Sequence, residues 1–183
     1  MFIQTEETPN PQTLKFIPGR EVMAEGTLHM PDAEAAKRSP LAERLFQVEG
    51  VNGVFLGSDF ISVTKLDAKE WYLLKPAVLG IIMEHFTANR PVVLEGAEST
   101  GETEGEDTEI VSQIKELINT RVRPAVAQDG GDIVFRGFEQ GVVFLHMQGA
   151  CSGCPSSTAT LRMGIENMLK HYIPEVTAVR AVQ

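Results

Sequence analysis

Hydrophobic residues recur with two different periods along this chain, most clearly in its second half. In "TEIVSQIKELINTRVRPAVAQ", residues 108–128, helical spacing relates Ile110, Ile114, Leu117, Ile118 and Val122. Pro124 predicts a break or kink in this helix, and "QDGGD" at 128–132 predicts a turn. Two strands of β character follow, "DIVFRGF" and "GVVFLHM", joined by "EQG".

The end of the chain continues with a helix and a strand. "PSSTATLRMGIENMLKHY" places apolar residues on one helical face, at Leu161, Ile165, Met168, Leu169 and Tyr172. Pro174 ends this helix, and "VTAVRAV" predicts a short final strand. The second half therefore has the predicted order α-β-β-α-β, with "GACSGCPSS" at 149–157 lying between the hairpin and the last helix.

The first half predicts the order β-β-α-β-β-α. "FIQTEET" and "TLKFIPG" have the character of strands, and "SPLAERLFQV" predicts a helix with Ser39 as N-cap and Pro40 at its first position. "VNGVFLGSDFISVTKL" predicts a hairpin that turns at "GSD", and "KEWYLLKPAVLGIIMEHFTA" predicts a long helix, with a possible kink at Pro76. Three aromatic residues are expected in the core: Phe55, Phe60 and Trp71.

An acidic tract separates the two halves. Residues 95–109 carry seven acidic residues and no basic one, in a chain whose net charge is −9. Their one apolar residue is Ala97, so the tract cannot bury enough surface to offset the entropy of ordering it. We interpret it as a flexible linker between two small α+β domains, residues 1–94 and 110–183; a surface loop inside one domain is the alternative.

Composition restricts the class of protein. With 43% hydrophobic and 22% charged residues, the chain has the balance of an ordinary soluble protein. Its longest apolar run, "AVLGIIM", is too short to span a membrane, and "MFIQTEE" does not resemble a signal peptide. No basic stripe suggests a nucleic-acid partner. Two closely spaced cysteines cannot cross-link a secreted scaffold, so a reducing cytoplasm is expected.

The candidate chemistry lies in those two cysteines, Cys151 and Cys154. Pro155 favours a helix that starts there with Cys154 as its cap, which would place both sulfurs near free backbone N–H groups. That position lowers the pKa of a thiol and favours metal-bound sulfur. The small neighbours Gly149, Ala150 and Gly153 predict an exposed loop with uncovered sulfurs.

Four kinds of site fit this pair of cysteines. An iron–sulfur cluster takes four thiolates, so two chains would have to share one. Three features fit a dithiol redox site less well: Ala150 precedes the pair, Pro155 follows it, and the chain after Cys154 is short. Zinc within one chain would need His146 and His171, of which the second is a helix length away; zinc between two chains stays open. Two structural thiols or a local disulfide are the fourth possibility.

Longer stretches resemble a known family. "RPAVAQDGGDIVF" and "GACSGCPSSTATL" resemble the C-terminal domain of NifU, and "MFIQTEETPNPQTLKFIPG" resembles the N-terminal domain of the Nfu-type iron–sulfur cluster carriers. The arrangement is similar to that of the mitochondrial and alphaproteobacterial members. The resemblance covers nearly the whole chain, with the acidic tract between its two parts.

The resemblance implies a carrier or scaffold rather than an enzyme. Cys151 and Cys154 would hold a labile [4Fe–4S] cluster between two chains, which form a homodimer when the cluster binds. The expected partners are an upstream scaffold and the client apo-proteins that receive the cluster. The expected location is the bacterial cytoplasm, or the mitochondrial matrix for a processed eukaryotic form. A dithiol oxidoreductase that uses the same two cysteines is the alternative.

Overall fold

A computed structural model describes residues 2–94, 108–151 and 155–182. The chain divides into two compact units, Met1–Ser99 and Thr100–Gln183. Each unit contains helices and a β-sheet, which confirms the predicted α+β class. The proposed linker lies outside the described residues except for Thr108, which caps a helix, and Glu109, which begins it. The exact domain boundaries stay a prediction.

The first unit is built on a five-stranded sheet whose neighbouring strands are all antiparallel. The strand order is β1-β2-β5-β4-β3. A short 3-10 helix, Ala35–Arg38, precedes the first α-helix. The elements in chain order are β1 (Gln4–Glu7), β2 (Thr13–Ile17), β3 (Leu28–Met30), α1 (Pro40–Phe46), β4 (Val51–Leu56), β5 (Ile61–Lys65) and α2 (Trp71–Thr87).

Strand β3 is the one strand of the first unit that the sequence pattern did not predict. It pairs with β4, with Leu28 opposite Leu56 and Met30 opposite Val54. Three residues are too few to display an alternating pattern, so the sequence offers no periodic signal for it. Leu28 and Met30 are nevertheless buried in the core of the unit, which explains why this short edge strand forms.

The two predicted helices of this unit are confirmed. The Ser39 hydroxyl accepts a hydrogen bond from the Ala42 N–H at 3.1 Å, and Pro40 occupies the first helical position of α1. Helix α2 continues from Trp71 to Thr87 with Pro76 inside it. In the parts of the chain that the structure describes, no helix is long and apolar enough to cross a bilayer.

The three aromatic residues expected in the core pack there to different extents. Phe55 and Phe60 are buried, and their ring centroids lie 5.9 Å apart. Trp71 is half-buried against the same core, and its indole Nε1–H donates a hydrogen bond to the Pro11 carbonyl at 3.2 Å. The polar end of the indole ring therefore has a partner while its apolar part packs inside.

Residues 91–94, which follow α2, are tied back to α1. The Ser39 hydroxyl that caps α1 also donates a hydrogen bond to the Val92 carbonyl. The Leu94 N–H donates to the Arg38 carbonyl at 3.0 Å. These bonds satisfy backbone groups of a segment with no regular secondary structure, so the first unit remains ordered up to Leu94.

A buried histidine completes this attachment. His85 is fully buried, and its Nε2–H lies 3.0 Å from the Pro91 carbonyl. Its Nδ1 has no hydrogen-bond partner among the described residues. Burial lowers the pKa of His85, the nearby charges of Arg44 and Arg90 act in the same direction, and the hydrogen bond to Pro91 opposes them. The folded unit therefore favours the neutral ring.

We expect the first unit to lose stability as the pH falls below 6.5, the ordinary pKa of histidine. The unfolded chain binds the proton of His85 more tightly than the folded unit does, so the free energy of unfolding falls between that pH and the lower folded pKa. The slope is up to about 1.4 kcal/mol per pH unit. Urea unfolding followed by fluorescence of Trp71, the only tryptophan, measures it. The same slope in the His85→Gln variant would contradict this assignment.

The second unit has the predicted order α-β-β-α-β, which is confirmed. In its three-stranded sheet, ordered β6-β7-β8, the first pair of strands is antiparallel and the second is parallel. A π-helical turn, Ile118–Val122, joins its first two helices. The elements in chain order are α3 (Glu109–Leu117), α4 (Arg123–Gln128), β6 (Gly131–Glu139), β7 (Val142–Gly149), α5 (Pro155–Tyr172) and β8 (Ala178–Val182).

The predicted "EQG" turn is a two-residue hairpin. Glu139 pairs with Val142, and the residues between them, Gln140 and Gly141, both have positive φ, at 51° and 82°. Two consecutive positive φ values match the twist of the flanking strands, which is why such turns favour glycine. This tight turn sets the register of the pairs next to it, and a bulge between Phe135 and Gly137 shifts the register farther along the hairpin.

The helical faces predicted for α3 and α5 are confirmed with one exception. Ile114, Ile165 and Leu169 are buried in the core of the second unit. Tyr172 belongs to the same predicted face but is 49% exposed. It lies in the last turn of α5, where its ring packs 5.3 Å from the guanidinium carbon of Arg121 instead.

Candidate functional site

The candidate site lies where β7 ends and α5 begins. Strand β7 ends at Gly149, α5 begins at Pro155, and Cys151 is the second residue between them. The other predicted ligand, Cys154, lies outside the described residues together with its two preceding neighbours. The geometry of the site is therefore that of Cys151 and the residues that surround it.

Cys151 faces the core rather than the solvent. It carries a free thiol, is 7% exposed, and belongs to the hydrophobic core of the second unit. Every second residue of the preceding strand is also buried: Val143, Leu145, Met147 and Gly149. Cys151 lies in the turn after that strand, where Gly149 has a positive φ of 63° and Ala150 is buried as well, so the turn rather than the strand alternation places its side chain inside. The expectation of an exposed loop with an uncovered sulfur is wrong for this residue.

The environment of Cys151 disfavours the thiolate. Burial raises the pKa of the Cys151 thiol to about 12, and the carboxylates of Asp129 and Asp132 add to the rise. The sequence led us to expect a lowered pKa from the helix N-terminus. That expectation is wrong for Cys151, because removal from water and two nearby negative charges dominate its environment.

Gly131 gives the Cys151 sulfur the space it occupies. A Cβ atom on Gly131 would lie 2.5 Å from Sγ of Cys151, 2.9 Å from its backbone nitrogen and 2.8 Å from the Gln148 carbonyl oxygen. These distances are shorter than any side chain tolerates. The Ala150 N–H donates to the Gly130 carbonyl at 3.2 Å, which holds the two segments together. Sequence analysis assigned "QDGGD" only a turn and missed this contact.

A buried ion pair lies beside the same segment. Asp132 is 3% exposed, and Arg123 contacts it with two hydrogen bonds, from Nε at 2.9 Å and from Nη2 at 2.8 Å. Oδ1 of Asp132 also accepts from the Ile133 N–H at 2.8 Å. A buried carboxylate requires such partners, so Arg123 compensates the negative charge of Asp132.

The first turns of α5 contribute a direct contact. The Thr158 hydroxyl donates a hydrogen bond to the Cys151 carbonyl at 3.0 Å. Thr158 is the fourth residue of α5, so this bond connects the start of the helix to the residue that carries the sulfur. Movement of α5 relative to β7 would therefore displace Cys151.

The two histidines considered as zinc ligands have other contacts. A ring nitrogen of His146, Nδ1, lies 3.2 Å from the Val182 carbonyl oxygen, and the ring of His171 packs against Tyr172 with centroids 5.1 Å apart. Within residues 2–94, 108–151 and 155–182, no three His, Cys, Asp or Glu side chains converge on a metal-sized site. A zinc site built within one chain has no support in this part of the protein.

Comparison with known proteins extends these observations. Residues 3–89 match the sequence family described as "Scaffold protein Nfu/NifU N terminal", and residues 114–180 match "NifU-like domain". The chain is 52% identical over 183 residues to the Homo sapiens protein named "NFU1 iron-sulfur cluster scaffold homolog, mitochondrial", covering all of this chain and 72% of that protein. The chain belongs to the Nfu family. This result confirms the resemblance noted in the sequence.

Two further comparisons give these matches. It is 54% identical over 185 residues to the Drosophila sechellia protein of the same name, and spans 65% of the length of that relative. A solution NMR structure of a NifU-like protein from Saccharomyces cerevisiae is 24% identical with a TM-score of 0.45, covering 52% of this chain and 86% of that one.

The cysteine segment of this Nfu chain thus combines two properties. Cys151 offers one sulfur ligand at the junction of β7 and α5, and Gly131 accommodates that sulfur against β6. Burial and nearby carboxylates hold the thiol in its protonated form. A group that bonds to this sulfur must displace the thiol proton and must reach a buried side chain. A metal ion that binds cysteine displaces the proton in this way.

Proposed function

We propose that this chain is an iron–sulfur cluster carrier that holds a labile [4Fe–4S] cluster through Cys151 and Cys154 and passes it to client apo-proteins. The observation that carries the proposal is the cysteine pair itself, the only two cysteines of an Nfu-family chain, one of which lies at the β7–α5 junction. The relatives are named iron–sulfur cluster scaffolds, which supports the same cargo. Transfer, rather than turnover chemistry, is the role proposed.

Sharing of the cluster by two chains follows from ligand number. A [4Fe–4S] cluster takes four thiolates and one chain supplies two, so the cargo would join two copies at a symmetric contact. The proposed domains are residues 1–94 and 110–183, joined by residues 95–109. The relatives are named mitochondrial, which supports the mitochondrial matrix over the bacterial cytoplasm as the location. An upstream scaffold would supply the cluster.

The alternative of a dithiol oxidoreductase receives less support from the site. Such enzymes attack a disulfide with an accessible thiolate whose pKa lies near the ambient pH. Cys151 is buried and its pKa is raised to about 12, so this residue is a poor nucleophile. Ligation needs the thiolate too, but a bound metal cation stabilises the thiolate directly, which a disulfide does not.

Iron stoichiometry and mass test the proposal together. Full-length protein reconstituted with iron and sulfide without oxygen is expected to contain about two iron atoms per chain and to sediment as a dimer. Removal of iron by a chelator is expected to dissociate the dimer, because the cargo binds only the pair. Four iron atoms per chain in a loaded monomer would contradict a shared cluster.

A further inference from the structure

The sulfur of Cys151 lies against residues 129–131, which lead from α4 into β6. The Ala150 N–H donates a hydrogen bond to the Gly130 carbonyl at 3.2 Å. The backbone of Gly131 leaves the space that the sulfur fills, since a Cβ atom there would lie 2.5 Å from Sγ. A movement of this segment would therefore displace the sulfur or expose it.

An ion pair fixes the chain on both sides of this segment. Arg123 is the first residue of α4 and Asp132 is the second residue of β6, and two hydrogen bonds of 2.9 and 2.8 Å join them. Nη1 of Arg123 also donates to Oδ1 of Asn119 at 3.2 Å, in the π-helical turn before α4. A bidentate pair restricts the orientation of its partners as well as their distance. The two ends of the 129–131 segment are therefore held together.

The same ion pair changes the charge around the sulfur. The side chain of Asp132 is 4% exposed and that of Arg123 is 33% exposed. Besides burial, Asp129 and Asp132 raise the pKa of the Cys151 thiol, so both carboxylates act on this sulfur. Thiolates that bind a cluster add negative charge here, which an uncompensated carboxylate would oppose. Because Arg123 offsets the charge of Asp132, it favours both the folded segment and a bound cluster.

We propose, on the basis of the function proposed above, that Arg123 is a positioning residue for the cluster. Through its two hydrogen bonds to Asp132 it keeps the 129–131 segment against Cys151, so that the sulfur stays in place while the cluster is bound. Arginine suits this role because its planar fork donates two parallel hydrogen bonds to one carboxylate, which lysine cannot do. Loss of a positioning residue would open this segment before the rest of the unit.

Amide hydrogen exchange of the full-length protein without iron tests the positioning directly. In Arg123→Gln, the Ala150 N–H is expected to exchange at least about tenfold faster than in wild type, because its contact with Gly130 opens locally. The Thr177 N–H is the internal control, since it donates to the Gly141 carbonyl at 2.7 Å at the other end of the hairpin. Its exchange is expected to change by less than about threefold. Equal acceleration of the two amides would overturn the proposal, because the ion pair would then only stabilise the unit as a whole.

Arg123→Lys keeps the experiment decisive if Arg123→Gln does not fold. Lysine retains the positive charge that the buried carboxylate requires, but it loses the bidentate contact. The Ala150 N–H of this variant is expected to exchange faster than in wild type, with the Thr177 N–H unchanged. Exchange at the wild-type rate would overturn the proposal, because the charge alone would then hold the segment.

Release of iron to the chelator bipyridine measures the consequence for the cluster. After anaerobic reconstitution, Arg123→Gln is expected to release its iron at least about tenfold faster than wild type, and Arg123→Lys at a rate between the two. Arg121→Gln is the matched control, because Arg121 lies two residues before Arg123 but packs on the ring of Tyr172. It is expected to release iron at the wild-type rate.

The two measurements separate this inference from the function on which it rests. Wild-type protein that loads no iron would overturn the proposed function, and with it any role of Arg123 in holding the cluster. Wild-type protein that loads iron, with Arg123→Gln releasing its iron as slowly as wild type, would overturn the positioning role alone. Release that is equally fast in Arg121→Gln and Arg123→Gln would also overturn it, because the contact with Asp132 would then have no special effect.

Discussion

Replacing Cys151 with serine is expected to abolish stable iron loading, and Cys154→Ser is expected to do the same. Serine offers no thiolate, and in a symmetric pair of chains each substitution removes two of the four sulfur ligands. The measurement is iron per chain after anaerobic reconstitution and removal of unbound iron. We expect less than a tenth of the wild-type content. Either variant holding the wild-type amount would contradict a cluster bound by these two residues.

The burial of Cys151 adds a requirement to this experiment. A serine hydroxyl in the core, without a partner, would lower the free energy of unfolding by about 1–3 kcal/mol. Cys151 is 7% exposed rather than part of an exposed loop, so its replacement is expected to affect stability as well as ligation. Cys151→Ala is the appropriate control, because alanine removes the ligand without adding a polar group. Equal loss of iron in both variants, with alanine the more stable, would separate ligation from folding.

Gly131→Ala is expected to have the second largest effect. The added Cβ would lie 2.5 Å from Sγ of Cys151 and within 2.9 Å of two backbone atoms, so β6 and the cysteine segment must move apart. Overpacking of this kind costs about 3 kcal/mol and displaces the sulfur from its place. Denaturant unfolding followed by circular dichroism, together with iron content, measures both consequences.

Gly137→Ala is the matched control for that variant. Gly137 lies on the same strand, and a Cβ atom there would meet nothing within 4 Å. Its effect on the free energy of unfolding is expected to stay within about 1 kcal/mol, with iron loading unchanged. If the two glycine variants unfolded alike and loaded alike, the contact between Gly131 and Cys151 would have no role in the site.

Most of the fold was predicted from long segments in which apolar residues repeat with a regular period. Helix α5 and the β6–β7 hairpin were predicted because their apolar residues repeat over many positions and their turns contain glycine or proline. Strand β3 was missed because three residues cannot establish a period. Tyr172 shares the predicted apolar face, but its spacing did not show that it is 49% exposed in the last turn of α5.

The sequence predicts which residues form the candidate site but not the environment of Cys151. The spacing of the two cysteines, with Pro155 after them, predicts a sulfur site from residue types alone. The inward direction of Cys151 depends on the turn that follows Gly149, whose positive φ ends the strand alternation, so the period of β7 does not predict it. The contact with Gly131 joins residues twenty positions apart, so no local pattern reveals it.

The covered sulfur of Cys151 has a kinetic consequence for a carrier. In the proposed carrier, a donor protein cannot bring iron into contact with a thiol that the core encloses, so ligand exchange at Cys151 would follow a local opening around this residue. When the donor protein is in excess, the frequency of that opening limits the rate of cluster loading. The loading rate then no longer rises with donor concentration. The opening rate of the carrier itself would then set the rate of cluster delivery. The concentration of donor would affect that rate only when the donor is scarce.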